Sequence, residues 1–287
     1  MSSFYIANKP ENDTDMLIAK EISKDSSIMD KRPKYGKNVY VKTDSIRVSG
    51  EITPTEGYKF TPVLAIKPKE KNLVSAYISG SSGSGKSVVV NHLVREVLKD
   101  KRFTNLEYET SDGPVKEKKA RVFLISAQKT PDPAFQSFKY SAFDIHNRQF
   151  LQVDYRSFVN KVIIFDDVSS LANPVLEKHI NGLINSLLEN SRKNNNCIIC
   201  VNHQSQDYAK SKKMISEAEN WVVFPGLNSH MTERFLDSYL GLSDSLLDEI
   251  FELDTRSLLV HRSNPQYFIS DVKIMANERK RRTKKEN

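Results

Sequence analysis

The chain has 287 residues, 38% of them hydrophobic and 28% charged, enough for one large core with a small appendage. No apolar stretch approaches the ~18 residues a bilayer-spanning helix needs, so a transmembrane helix is excluded and a soluble globular protein is expected. The net charge of +7 is partly concentrated in Arg279, Lys280, Arg281, Arg282, Lys284 and Lys285, which suits a disordered solvated tail, a phosphodiester contact or a localisation signal.

In chain order, residues 1–60 carry scattered turn formers and short β-like pieces at 38–42 and 45–48. They are expected to form an N-terminal extension, a small β decoration. The first ten residues lack the charged-then-apolar layout of a secretory signal. An apolar run at 73–79 predicts a strand, and apolar residues at helical spacing over 87–98 predict the helix that follows it. The charged stretch 104–119 reads as an exposed loop or hairpin, and 121–126 as the second strand. A third run, 162–165, ends in Asp166 and Asp167. A long helix over about 174–191 has Leu176, Ile180, Leu183, Ile184 and Leu187 on one stripe.

The fourth run, 197–201, ends in Asn202, His203 and Gln204, and a fifth, 221–224, is stopped by Pro225 and Gly226. Cys197 and Cys200 lie in the fourth run with no second Cys/His pair at zinc spacing, so buried reduced thiols in a cytosolic setting are expected. Two short helices (229–240 and 243–251) and two β-like pieces (257–261 and 266–269, joined through Asn264-Pro265) complete the pattern. Apolar runs alternating with helices predict an α/β fold, a mainly parallel sheet with helices on both faces. The expected division is 1–60 extension, 61–275 nucleotide-binding domain (core 61–225, C-terminal part 226–275), and 276–287 basic tail.

Gly80, Ser81, Ser82, Gly83, Ser84, Gly85, Lys86 and Ser87 match the phosphate-binding pattern G-x-x-x-x-G-K-[ST] in full. Glycines permit a turn whose N–H groups face a polyphosphate, the lysine reaches the β- and γ-phosphates, and the serine hydroxyl coordinates Mg²⁺. A Gly/Ser-rich linker would not be flanked by a strand and a helix. In enzymes with this loop an acid pair closing a later strand serves the metal and the attacking water. Asp166 is assigned to Mg²⁺ and Asp167 to the water. Asn202, His203 and Gln204 fall where open α/β sheets place ligands, with Gln204 favoured as γ-phosphate sensor ahead of His203 and Asn202. Arg192, ending the long helix, and Arg256, opening the first C-terminal strand, are candidates for an arginine acting on a neighbouring subunit. Lys210, Lys212 and Lys213, and Lys116, Lys118, Lys119 and Arg121, could face nucleic acid or simply form a solvated surface.

This order of motifs resembles the DNA-packaging ATPases of large double-stranded DNA viruses, the poxvirus-type branch of the FtsK/HerA superfamily of P-loop NTPases. The resemblance spans about 73–269. It includes the phosphate loop, Asp132-Pro133-Ala134-Phe135, the double aspartate, Asn202-His203-Gln204, Ser216-Glu217-Ala218, and Asp254-Thr255-Arg256-Ser257. The last departs from the family's Ser-Arg-Trp, with Thr255 before and Ser257 after the arginine. The resemblance implies a RecA/FtsK-like core and a homo-oligomeric ring using ATP and Mg²⁺. Its implied partners are double-stranded genomic DNA and capsid or portal-vertex proteins, in the host cytoplasm (virus factory) or the virion.

The alternatives are a cellular-type DNA helicase or DNA-transfer ATPase of the same superfamily, a nucleotide-gated switch, or a small-molecule kinase. A GTPase is disfavoured because no Asp-x-x-Gly follows the third strand and no Asn-Lys-x-Asp occurs.

Overall fold

A computed structural model describes residues 3–42, 49–65, 74–110, 113–168, 171–203, 214–226, 229–262 and 266–277. The β-like piece 45–48, the turn at Asn264-Pro265, Gln204, Lys210, Lys212, Lys213 and the basic tail lie outside them. The N-terminal part is antiparallel. Strands β1 (Phe4–Ala7), β2 (Met16–Ser23) and β3 (Tyr35–Val41) are followed by the two-residue β4 (Glu51–Ile52) and by β5 (Tyr58–Pro62). Four of them make a sheet in the order β1-β3-β2-β5, whereas β4 joins the large sheet. The expected boundary at 60/61 therefore falls inside β5. Alternation explains the sheet: Met16, Ile18, Val39, Val41 and Phe60 turn inward and are buried.

The large sheet begins with β6 (Val74–Ser79), whose residues are all buried, and continues through the phosphate loop into α1 (Lys86–Val97). The charged stretch forms the hairpin β7 (Thr104–Thr110) and β8 (Gly113–Lys119). Next come β9 (Arg121–Ser126), β10 (Tyr140–Phe143), β11 (Lys161–Asp166), α2 (Pro174–Asn194) and β12 (Cys197–Asn202). β13 (Asn220–Val223), α3 (Ser229–Leu240), α4 (Asp244–Glu252), β14 (Leu258–His261), β15 (Tyr267–Ile269) and β16 (Ile274–Ala276) follow.

The ten strands run β10-β9-β11-β12-β6-β13-β14-β15-β16-β4. From β10 to β13 every pairing is parallel, and from β13 to β4 every pairing is antiparallel. The parallel strands are covered on both faces, which is why their sequences are continuous apolar runs. One face packs α1, through Val90, Leu93, Val94 and Val97, together with the N-terminal sheet. The other packs α2, α3 and α4, through residues such as Ile180, Leu187, Leu236 and Ile250. Cys197 belongs to the first cluster and Cys200 to the second, as opposite strand faces require. Both are free thiols, and burial pushes each up to about 12. Each fully buried aliphatic side chain contributes about 1.5–3 kcal/mol relative to exposure.

Candidate functional site

Strand register builds the site. Asp166 stands opposite Ser126 on one side and Val201 on the other, while Asn202 stands opposite Ser79, the last residue before the phosphate loop. The carboxyl ends of β9, β11, β12 and β6 thus present their polar residues along one edge. The Ser126 hydroxyl donates to Asp166 Oδ2 at 3.1 Å. Burial raises the Asp166 carboxyl, the Ser126 hydrogen bond opposes that, and Asp167 and Asp132 raise it further. A cation beside it would remove that cost.

Asp167 leaves the strand in the left-handed region, at φ 60°, uncommon for a residue with a side chain and so a place where local strain is held. Its N–H still donates to the Val201 carbonyl at 3.0 Å. The turn carries its carboxylate to His203 Nε2, 2.8 Å away, and to Gln128 Nε2 at 3.3 Å.

Lys86 is nearly buried. Its ammonium donates to the carbonyls of Gly80 and Ser81, both at 2.8 Å, and lies 3.3 Å from His203 Nδ1. An ammonium has three donors and no acceptor, so Nδ1 accepts and the His203 proton is assigned to Nε2, facing Asp167. Burial lowers the Lys86 pKa, and the charges of Asp167 and Asp166 counter it.

The loop itself is shaped for an anion. A Cβ on Gly80 would sit 2.6 Å from Phe224 Cδ2 and 2.8 Å from Ser84 Oγ, so only glycine fits there. Gly85 caps α1 at φ 101° without a side-chain hydrogen bond, and no acid lies in the first turn. The helix's leading N–H groups and positive dipole end are therefore open to a phosphate. The buried Ser84 Oγ has no hydrogen-bond partner among the described residues, which fits a loop built to meet a ligand. The chain has the P-loop NTPase fold.

No protein-family model matches the chain. It is 25% identical over 234 residues to the Sputnik virophage protein described as "Uncharacterized protein V3", covering 81% of this chain and 86% of that one. Among solved structures it is similar to the genome packaging NTPase B204 of Sulfolobus turreted icosahedral virus 2 in complex with ATP-gammaS. That match has 14% identity, a TM-score of 0.44, and covers 69% of this chain and 95% of that chain. The cytoplasmic domain of the Thermomonospora curvata type VII secretion ATPase EccC is similar at 13% identity and a TM-score of 0.44, over 74% of this chain and 27% of that one. Strand order and loop geometry together define this fold.

Within this P-loop site, Arg256 sits on its own chain's phosphate loop. Its Nε donates to the Ser84 carbonyl at 2.9 Å and its Nη2 to the Gly83 carbonyl at 3.1 Å. β14 runs antiparallel to β13, so its beginning reaches the edge where the parallel strands end. Arg256, a candidate for a neighbouring subunit by its place in the sequence, contacts the loop of its own chain. Arg192 lies on α2, and its side chain is outside the described residues.

Gln128 and Ser126 escaped the sequence reading. Their signal was positional: Ser126 ends the strand beside the acid-bearing one. Asp132 caps a short 3₁₀ turn, accepting from the Ala134 N–H at 2.8 Å. Lys116 pairs with Glu107 on the exposed face of the hairpin, whereas Arg121, at the start of β9, pairs with Glu117, whose nearly buried carboxylate also holds Lys161.

Proposed function

We propose that this chain is a Mg²⁺-dependent ATPase that works as a homo-oligomeric ring, driving viral double-stranded genomic DNA into a capsid. The observation that carries the hydrolytic part is the continuous contact Lys86–His203–Asp167, which ties the phosphate loop to the strand-end acid through a strand-end histidine. Lys86 would exchange loop carbonyls for phosphate oxygens. Asp167 would orient the attacking water, and His203, touching both partners, would register loss of the terminal phosphate; Gln204 remains a second candidate for that role.

Ser87 and Asp166 would hold Mg²⁺. Among the described residues no three His, Cys, Asp or Glu side chains are placed to hold a metal ion together, so a cation here would draw its other oxygens from water and the nucleotide. Bound there, the ion supplies countercharge to the β- and γ-phosphates. Arg256 would steady the loop of its own chain, and Arg192 and Arg256 are both candidates for acting across a subunit boundary.

Support for the DNA cargo comes from the motif order over 73–269. Capsid or portal-vertex partners and a place in the virus factory or virion belong to the same reading. No helix among the described residues is long and apolar enough to cross a membrane.

The test is phosphate release from ATP and Mg²⁺ with and without duplex DNA, in wild type and Lys86→Ala. Wild type should be stimulated several-fold by DNA, and Lys86→Ala should fall by about 10²–10³-fold, the typical cost of one transition-state donor. Equal rates in both proteins, or none in either, would contradict the reading.

A further inference from the structure

The two acids at the end of β11 are joined by more than their peptide bond. Ser126 Oγ, which donates to Asp166 Oδ2 at 3.1 Å, also accepts the Gln128 N–H at 3.1 Å, as a hydroxyl with one donor and two lone pairs can. Between them, the Ala127 N–H donates to the Asp166 carbonyl at 3.2 Å. The segment leaving β9 is therefore fastened to Asp166 at its carboxylate and at its carbonyl. From there the Gln128 side chain reaches Asp167.

Gln128 Nε2 donates to Asp167 Oδ2 at 3.3 Å, the same oxygen that lies 2.8 Å from His203 Nε2. A carboxylate only accepts, so the amide is assigned with its nitrogen toward it and His203 with its N–H. β9 and β12 flank β11 on opposite sides, so the two donors come to Oδ2 from the two neighbouring strand ends. One donor leaves a carboxylate free to swing about its side-chain bonds. Two donors from different directions fix its plane, and with it the direction of Oδ1. Asp167 has particular need of such a hold, because its backbone sits at φ 60°, where residues with a side chain seldom rest.

Packing does not account for Gln128. It is exposed, and with Ser126, Lys129 and Asp144 it lines part of a cavity of about 370 Å³ at the carboxyl ends of β9 and β10. A space of that size holds several waters, each taking about 30 Å³ in the liquid. The hold on Asp167 thus sits where water arrives at the acids.

We propose that Gln128 is a positioning residue for hydrolysis: together with His203 it fixes the Asp167 carboxylate toward the attacking water, and Ser126 ties that hold to Asp166. The proposal rests on the reading of Asp167 as the acid that orients the water. It adds to the site a residue that lies outside the phosphate loop, the acid pair and the 202–204 triplet.

The test is steady-state hydrolysis of ATP with Mg²⁺ by the full chain, with ATP affinity measured separately at equilibrium. Gln128→Ala should lower kcat by about tenfold through lost alignment, and leave KM and ATP affinity within about twofold of wild type. Gln128→Glu keeps the shape but sets acceptor against acceptor, and it should lower kcat further than alanine does. Because Gln128 acts through Asp167, adding Gln128→Ala to Asp167→Asn should lower kcat by less than about twofold beyond Asp167→Asn alone. Unchanged kcat in Gln128→Ala and Gln128→Glu, while Asp167→Asn loses activity, overturns the proposal and leaves the reading of Asp167 standing. So does a Gln128→Ala loss that repeats in full on the Asp167→Asn background, or one that falls on KM and ATP affinity instead of kcat. Hydrolysis at the wild-type rate by Asp167→Asn would remove the reading of Asp167, and the proposal with it.

Discussion

The two flanks of β6 are built by different means. On the acid side, β12, β11 and β9 are parallel, and their carboxyl ends deliver Asn202, Asp166 and Ser126 to one edge. On the other side lies a cavity of about 270 Å³, where the sheet turns antiparallel at β14 and a separate N-terminal sheet supplies part of the lining. The acid flank gains its geometry from register, with each functional residue one step past an apolar strand. The cavity flank depends on side-chain contacts across the chain, such as His92 with Thr61 and Pro62, and Glu96 with Lys20. The acid edge and the N-terminal packing therefore have separate structural supports, and substitutions should separate them.

The largest expected effect lies on the acid flank. Asp167→Asn should lower ATP hydrolysis by about 10²–10⁴-fold, the range for loss of a positioned base, while ATP binding stays near wild type. A binding loss of similar size would mean that Asp167 belongs to the nucleotide's hold and not to its cleavage.

Acid should weaken the cavity flank first. Burial depresses His92 from the usual 6.5 to about 4, against smaller opposing effects from Glu96 and the Pro62 carbonyl. The unfolded chain thus binds a proton more readily, and stability present above pH 6.5 is lost as pH falls toward 4. The loss is on the order of 2–3 kcal/mol.

Glu96 acts in a lower window. Burial alone would raise its carboxyl, but hydrogen bonds from Lys20 and Lys99 bring it from 4.5 down to about 2. Its contribution is present above pH 4.5 and disappears as pH falls toward 2. Denaturant midpoints measured between pH 7 and 4 should decline in wild type and stay flatter in His92→Gln. Parallel curves would show that His92 is not the group responsible.

The smallest effect concerns Arg256. Its two hydrogen bonds hold loop carbonyls, so Arg256→Ala should weaken ATP and tripolyphosphate alike, by roughly tenfold. Full recovery of hydrolysis on mixing Arg256→Ala with Asp167→Asn subunits would instead give this arginine a role in a neighbour's site.

The same contrast explains what could be read from the sequence. The acid flank was legible because parallel strands buried on both faces are continuous apolar runs, so Asp166, Asp167 and His203 mark their own places. The α2 stripe Leu176, Ile180, Leu183, Ile184 and Leu187 was equally plain, and all five are buried. The edge strand β10 was not foreseen. Its four residues are only half-buried or exposed, and they carry no apolar run to mark them. The N-terminal β decoration was expected but its packing on α1 was not: His92 meets Thr61 and Pro62 from far along the chain, and no local pattern encodes that meeting. Arg256 was visible as a residue, but its reach onto the loop followed from the strand reversal at β14.

The most direct test of this polarity across β6 is a structure of the protein with Mg²⁺ and a non-hydrolysable ATP analogue. The account predicts phosphates over Gly80–Ser87, with the terminal phosphate facing Asp166 and Asp167. A terminal phosphate turned away from these acids, or phosphates bound away from the loop, would contradict it.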